Sequence, residues 1–369
     1  ELSYVRTLDD LTANISPGAI TLNSEYRAGQ LAFNFHDPAA RELGFRNQRL
    51  SQAAFGIDPT ESIADALRAQ GLSEDTISRF DTRQELSAVL DAGPVRINPF
   101  LVGRATAYDT DFEEFSPEES DSARLWGAAG VRLSTTLQHV NNSIDSAFFD
   151  LHRVRHIIEP GVTLWHAGTT VDRIDLPVYD EAVESIAEGS IVRVGIDQTW
   201  QTKRGGPGRW TNVDVLKLRT EYVWASGDAD RDSPIGRYFD DRPELSSVGE
   251  FIDAEMLWQV SGPVGLTGRV IYDVEETHQP AYSAVGLLVD HGYGLRSSVG
   301  QRFVNALDST IVFYNLQYDV TDKYRVTFAT NYDTALDDFE RINATLTRSY
   351  PNLTVGLAFS FNNINDETS

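Results

Sequence analysis

The run RVRHIIEPGVTLWHAG, residues 153–168, gathers His156, Glu159 and His166, with His152 just upstream. On a helix, His152 and His156 stand four apart on one face beside a carboxylate, which is how a metal site begins. Pro160 forbids that helix directly after its supposed ligands, since it lacks an N–H and clashes with the preceding turn. A second candidate is Asp228, Asp230 and Asp232, at calcium-loop spacing. Its sixth position is Ser233 instead of glycine and its twelfth is Phe239 instead of glutamate, so the EF-hand reading fails and solvated loop charge is expected. His36, His139, His278 and His291 have no partner that spacing justifies. No GxSxG, HExxH, Walker or GxGxxG pattern is present. The expectation is no catalytic residue, no metal and no cofactor.

The elements that hold these residues are strands. In RVRHIIEPGVTLW, Ile158, Pro160, Val162 and Leu164 share one face with His156, opposite Arg155, Glu159, Thr163 and Trp165. Proline removes a ladder hydrogen bond and Gly161 loosens the pleat, so a bend, bulge or weakened pairing is expected at 160–161. Alternation is clearest over 310–361. Val312, Tyr314, Leu316, Tyr318 and Val320 alternate with polar residues, as do Tyr324, Val326 and Phe328, then Ile342, Ala344 and Leu346, then Leu353, Val355, Leu357, Phe359 and Phe361. Strands of about ten residues suit a bilayer crossing better than a sandwich, whose strands run nearer five or six. The Arg, Asn, Gln, Thr and Asp on the other face suit a wet lumen, and Tyr318, Tyr324, Tyr332 and Tyr350 suit an interfacial girdle.

Further strands are expected at 19–28, 31–37, 45–57, 82–91, 95–109, 123–141, 151–167, 190–203, 213–226, 247–260, 265–278, 281–291 and 294–305. With the last four that makes sixteen or seventeen. Asp58 as N-cap, Pro59 and Glu61 predict a helical insertion at about 58–79. Acidic loops at 109–123 and 226–246 alternate with tight turns, as in a barrel with long outer loops.

The chain has 31 basic and 55 acidic residues, a net charge of -24, which weighs against nucleic acid as a partner. It has no cysteine, so disulfides and thiolate chemistry are excluded. No apolar leader follows Glu1, which is read as a mature protein or a cut-out piece. No stretch approaches the roughly 20 apolar residues of a membrane helix, a test to which barrels are blind. The fold class expected is all-β, a large antiparallel transmembrane β-barrel of about sixteen or more strands across 1–369. A soluble β-solenoid or sandwich would share the alternation.

TVGLAFSF, with Thr354, Gly356, Phe359 and Phe361, looks like the signal by which the outer-membrane barrel assembly machinery recognises a final strand; eight residues follow it here. RHIIEPGVTLW resembles the Arg-x-x-His-x-x-x-Pro-x-Val stretch of the lipopolysaccharide-assembly family LptD, with Arg153, His156, Pro160 and Val162 in place. RFDTRQELSAVLDAGPVRINPFLVGRATAY is similar to a strand pair of that family whose second strand carries a proline, here Pro99. ESIAEGSIVRVGIDQTWQTKR and LQYDVTDKYRVTFATNYD agree in order, so the resemblance covers about 19–361. It implies a non-enzymatic barrel in the outer membrane of a Gram-negative-type bacterium. Such a barrel receives lipopolysaccharide from a periplasmic Lpt bridge and passes it laterally between its first and last strands, around an LptE-like plug lipoprotein. The strand 352–361 would be one lip of that gate. The family's N-terminal jelly-roll and cysteines are absent here and the strand number falls short of its roughly 26, which implies a C-terminal barrel portion or a shortened relative. A general porin is the alternative; a constricting loop would mark it.

Overall fold

The computed structural model describes residues 2–11, 19–35, 37–43, 45, 48–117, 121–206, 208–229, 233, 235–335, 337–362 and 367–368. Among the described residues, nineteen strands form one antiparallel sheet. They are β1 (Leu2–Asp10), β2 (Ile20–Leu31), β3 (Ile77–Ala88), β4 (Leu90–Ala92), β5 (Val95–Tyr108), β6 (Ala123–Thr135), β7 (Leu137–Ser146), β8 (Leu151–Thr169), β9 (Gly189–Arg204) and β10 (Thr211–Ala225). The remainder are β11 (Phe251–Gln259), β12 (Val264–Asp273), β13 (Pro280–Gly292), β14 (Leu295–Val304), β15 (Ser309–Thr321), β16 (Tyr324–Asp333), β17 (Asp338–Tyr350), β18 (Leu353–Asn362) and β19 (Glu367–Thr368). Both β3 and β4 pair with β5, and both β6 and β7 pair with β8, so each couple is one interrupted stave. With the two-residue β19 set aside, sixteen staves follow one another up and down. Among the described residues no ladder joins β1 to β18.

Register assigns the faces. Leu346↔Leu357, Ala344↔Phe359 and Ile342↔Phe361 share one face of β17–β18, while Thr347↔Gly356 and Asn343↔Ser360 share the other. The apolar face is open around the whole wall: Leu101 is 55% exposed, Leu125 60% and Leu357 76%. An apolar band of this extent is stable against lipid and costly against water, which makes the fold a transmembrane antiparallel β-barrel. Tyr324 and Tyr350 close this face at the tight-turn end, with the Arg348 guanidinium 5.2 and 4.6 Å from their ring centres.

The two ends differ. Turns at 93–94, 147–150, 260–263, 293–294, 322–323 and 351–352 are tight. In the 293–294 turn Gly292, Tyr293 and Gly294 all take positive φ, and a Cβ on Gly294 would lie 2.8 Å from the Asp319 carbonyl. The other end carries 32–76, 109–122, 170–188 and 226–250, then shrinks to 274–279, 305–308 and 334–337.

Two strand prolines explain the interrupted staves. Pro160 lies between the last β6 partner, Ser134↔Gly161, and the first β7 partner, Leu137↔Ile158. Pro99 lies between Ser87↔Phe100 and Leu90↔Ile97, opposite the gap between β3 and β4. Each proline offers no N–H, and the neighbouring stave breaks where that donor is missing. The expected bulge at 160–161 is absent: β8 pairs with β9 in unbroken register from Arg155 to Ala167. The irregularity falls earlier, at the shift between Asn141 and Asp145, with Arg153 at φ 58.

Three sequence expectations are corrected. The described part of 45–57 forms no strand but holds the helix α1 (Gln48–Phe55), with Phe45 and Phe55 packed edge to face, centroids 4.9 Å apart. The described part of 32–37 is irregular. The helical insertion contracts to α2 (Ile63–Ala69). Asp58 is not its cap, because its carboxylate turns back to the Thr60 N–H (3.0 Å) and hydroxyl (2.7 Å). Ser62 caps instead, accepting from the Asp65 N–H. β1, for its part, was not anticipated by the alternation.

Candidate functional site: two loops against an arginine wall

The inner faces of β3, β5, β6 and β9 carry Arg79, Arg83, Arg104, Arg124 and Arg193, all buried. They are inward because alternate residues of a strand share a face and their in-register neighbours are polar: Arg83↔Arg104, Asp81↔Thr106. What buries them is the chain's own loops.

Loop 170–188 folds onto this wall. Its Glu184 carboxylate accepts from Arg79 Nη1 at 2.8 Å and the Tyr108 hydroxyl at 2.9 Å, and its second oxygen accepts the Asp180 N–H at 2.7 Å. Arg124 donates to the Glu184 carbonyl at 2.9 Å and to the Val183 carbonyl. Arg104 grips Asp81 through two bonds, 2.8 and 2.9 Å, and donates to the Ala182 carbonyl. Arg27 of β2 donates to Asp180 at 2.8 Å.

Loop 226–250 reaches the same strands from β10 and β11. Glu244, 1% exposed, accepts from Arg83 Nε at 2.8 Å, and Arg242 pairs with Glu25 of β2. That contact between the β10–β11 loop and β2, far apart in sheet order, requires the wall to curve around the loop. The two loops join where the Ala187 N–H donates to the Glu244 carbonyl at 2.7 Å. The acidic loop 226–246 was expected to be solvated; its charge is instead partly buried in ion pairs, because the wall supplies guanidinium partners. Of the calcium-spaced aspartates, Asp230 and Asp232 lie outside the described residues.

An apolar core lies beside the ion pairs. Phe100, Trp126, Trp165 and Ile191 of the wall pack with Ile186, Tyr238, Val248 and Phe251. Trp126 Nε1 donates to the Ala187 carbonyl at 3.1 Å. Gly130 is required here: a Cβ would lie 2.6 Å from Trp165 Cβ and collide with the Phe100 ring. Burial, then the charge of Asp240, pushes the Tyr238 phenol up to about 12. Burial, then Asp172, holds the Glu188 carboxyl above its ordinary value. Buried ion pairs of this kind are weak net stabilisers, but removing one partner costs about 3–5 kcal/mol. They therefore fix where the loops sit.

The rest of the concave face is open. At the tight-turn end, staves β10–β16 enclose a cavity of about 710 Å3. Its charges are self-paired, Lys217 with Asp214 at 2.7 Å and Arg296 with Asp290 at 3.4 Å.

The residues singled out from sequence lie elsewhere. His156 faces outward, stacked on Trp200 with centroids 4.2 Å apart and its Nε2 3.2 Å from Gln198 Oε1. Val162 and Pro160 share that outer face, in register with Val194 and Ile196. His166 also faces out and bonds Ser190, whereas Glu159 faces in, so the helical metal constellation is dispersed. His152 sits 3.3 Å from Asp145. Arg153 is exposed beside the 147–150 turn. Pro99 is three staves from the β1 edge, and Thr354, Gly356, Phe359 and Phe361 lie in β18, Phe359 and Phe361 outward. None touches the loops. Sequence reasoning missed the arginine wall: Arg79, Arg83, Arg104, Arg124 and Arg193 all stand in strands of the half of the chain with long acidic loops, but three of them share a face with core residues such as Phe100, Trp126 and Ile191.

No protein-family model and no curated protein matches the chain. Among solved structures it is similar to an engineered protein described by its asymmetric conductivity, at 13% identity over 93% of this chain and 100% of that one, TM-score 0.28. A triple mutant of Rhodopseudomonas blastica porin matches at 11% identity over the same shares, TM-score 0.28. Scores of this size assign neither fold nor function, which rest on the wall and loops themselves.

Proposed function

We propose that the chain is a non-enzymatic outer-membrane channel of a Gram-negative-type bacterium, passing small hydrophilic solutes through a lumen narrowed by its own loops. The observation that carries this is the pair of loops, 170–188 and 226–250, anchored on the inner wall by Glu184 and Glu244 while the facing staves keep an open cavity. A polar inner face, self-paired charges and an apolar outer belt are the parts such a channel needs. The test is reconstitution of the purified protein into planar bilayers. Stepwise ion conductance without added lipopolysaccharide supports the reading, and a silent bilayer containing folded protein refutes it.

A second reading, lipopolysaccharide assembly, is favoured by one observation: beyond the two-residue β19, which pairs at Phe361 and Asn362, β18 with Thr354, Gly356, Phe359 and Phe361 has no described ladder to β1. Under it the lipid leaves between these edges, with a plug lipoprotein, a periplasmic bridge and the barrel assembly machinery as partners. Pro99 and Pro160 lie within the wall, away from both edges, and lend it no support. Depletion in the host with surface lipopolysaccharide scored decides: unchanged levels exclude this reading.

A further inference from the structure

We infer that the cavity on the open half of the lumen is a binding site for an uncharged, polyhydroxylated solute of sugar size, with Phe313, the next residue on the inner face beyond its lining residue Asn315, as the platform at its margin on which the solute stacks. This rests on the chain being a channel and names the solute class for it.

The first ground is the shape of the wall. Gly286, Gly300 and Phe313 are in register across β13, β14 and β15, all on the inner face. The Phe313 ring lies across the two glycines: a Cβ on Gly300 would collide with it, and one on Gly286 would stand 3.7 Å from its Cζ. Two missing side chains therefore let an aromatic ring lie along a lumenal wall, only half-buried. A ring held this way offers its electron-rich face to the weakly positive C–H face of a pyranose.

The second ground is the polar surround. Two residues further along β14 and β15 toward the tight turns, on the same face, are Ser298 and Asn315, bonded at 3.1 Å, then Gln317 and Thr327. Asn315 uses one of the four hydrogen-bonding positions of its amide in that bond. These groups meet hydroxyls equally well as donor or acceptor. Leu288, also inward, adds an apolar patch.

The third ground is charge. The cavity's Lys217 and Arg296 are each matched by a carboxylate within 3.4 Å. A charged solute would have to displace a matched partner, whereas a neutral one need not. The volume of about 710 Å3 falls within the roughly 300–1,000 Å3 range of small-molecule sites.

The test pairs calorimetric titration of the full chain in detergent, using maltose and sucrose with gluconate as the charged comparator, with conductance in planar bilayers. Saturable maltose binding is expected, weakened roughly tenfold by Phe313→Ala. Asn315→Leu, on the exposed lumenal side, is a second variant expected to weaken binding should Phe313→Ala not fold. No saturable binding, binding indifferent to both variants, or gluconate bound as tightly as maltose overturns the assignment. Conductance without sugar binding refutes the solute class alone; variant-sensitive sugar binding without conductance refutes the channel alone.

Discussion

The two halves of this barrel are built from the same alternating strands, yet their concave faces have opposite fates. From β2 to β11 the inner face carries buried arginines and aromatic residues, and loops 170–188 and 226–250 fold over it. From β12 to β18 the connecting loops are short and the inner face keeps hydroxyls, amides and ion pairs open to the lumen. The difference teaches that strand alternation sets which face is outside, while loop length and the partners on the wall decide whether the inside is a core or a passage.

The largest expected effect follows from the ion pairs. Glu184→Ala strips Arg79 and Tyr108 of their shared acceptor and is expected to cost about 3–5 kcal/mol, read as loss of hydrogen-exchange protection over 170–188. Arg325→Ala in the open half breaks an exposed pair with Asp319 and should leave exchange protection and the denaturant midpoint unchanged. Equal effects would erase the contrast between the halves.

Next comes packing. Gly130→Ala drives a methyl into Phe100 and Trp165 and should destabilise by about 1–3 kcal/mol in denaturant titrations. Gly103→Ala points outward into open space and should stay within about 0.5 kcal/mol.

A smaller effect concerns the interrupted staves. Pro160→Ala restores an N–H opposite the β6–β7 gap, so amide protection near Thr136 should rise while global stability moves by less than about 1 kcal/mol. Protection unchanged there would mean the gap has another cause.

The smallest is a pH slope. Glu188 is held above its ordinary value of 4.5, so its contribution to stability is fully present below that value and is lost as pH rises through the raised one. Loop 170–188 should loosen over that window by exchange, and Glu188→Gln should flatten the slope.

The sequence makes the wall legible because side-chain period two is local: the faces of 310–361 are those the register shows. The strand at 2–10 escapes it because the segment carries no clear period; the helix at 48–55 has apolar residues at helical spacing, Leu50, Ala53 and Ala54, which a strand reading of 45–57 passes over. The loop site escapes it for another reason. Arg83 and Glu244 are separated by 161 residues, and no spacing rule connects them. The one available signal, arginines in strands joined by long acidic loops, gives a tendency to pair and not the partners. At Pro99 and Pro160 the break falls on the neighbouring stave, because the N–H that each proline lacks would have bonded across the ladder to it.

The most direct test of the account is single-channel conductance after shortening one loop at a time. Replacing most of 226–250 with a short linker is predicted to raise the conductance step, while shortening 305–308 leaves it unchanged. A step unaffected by loss of 226–250 would contradict the claim that this loop narrows the lumen.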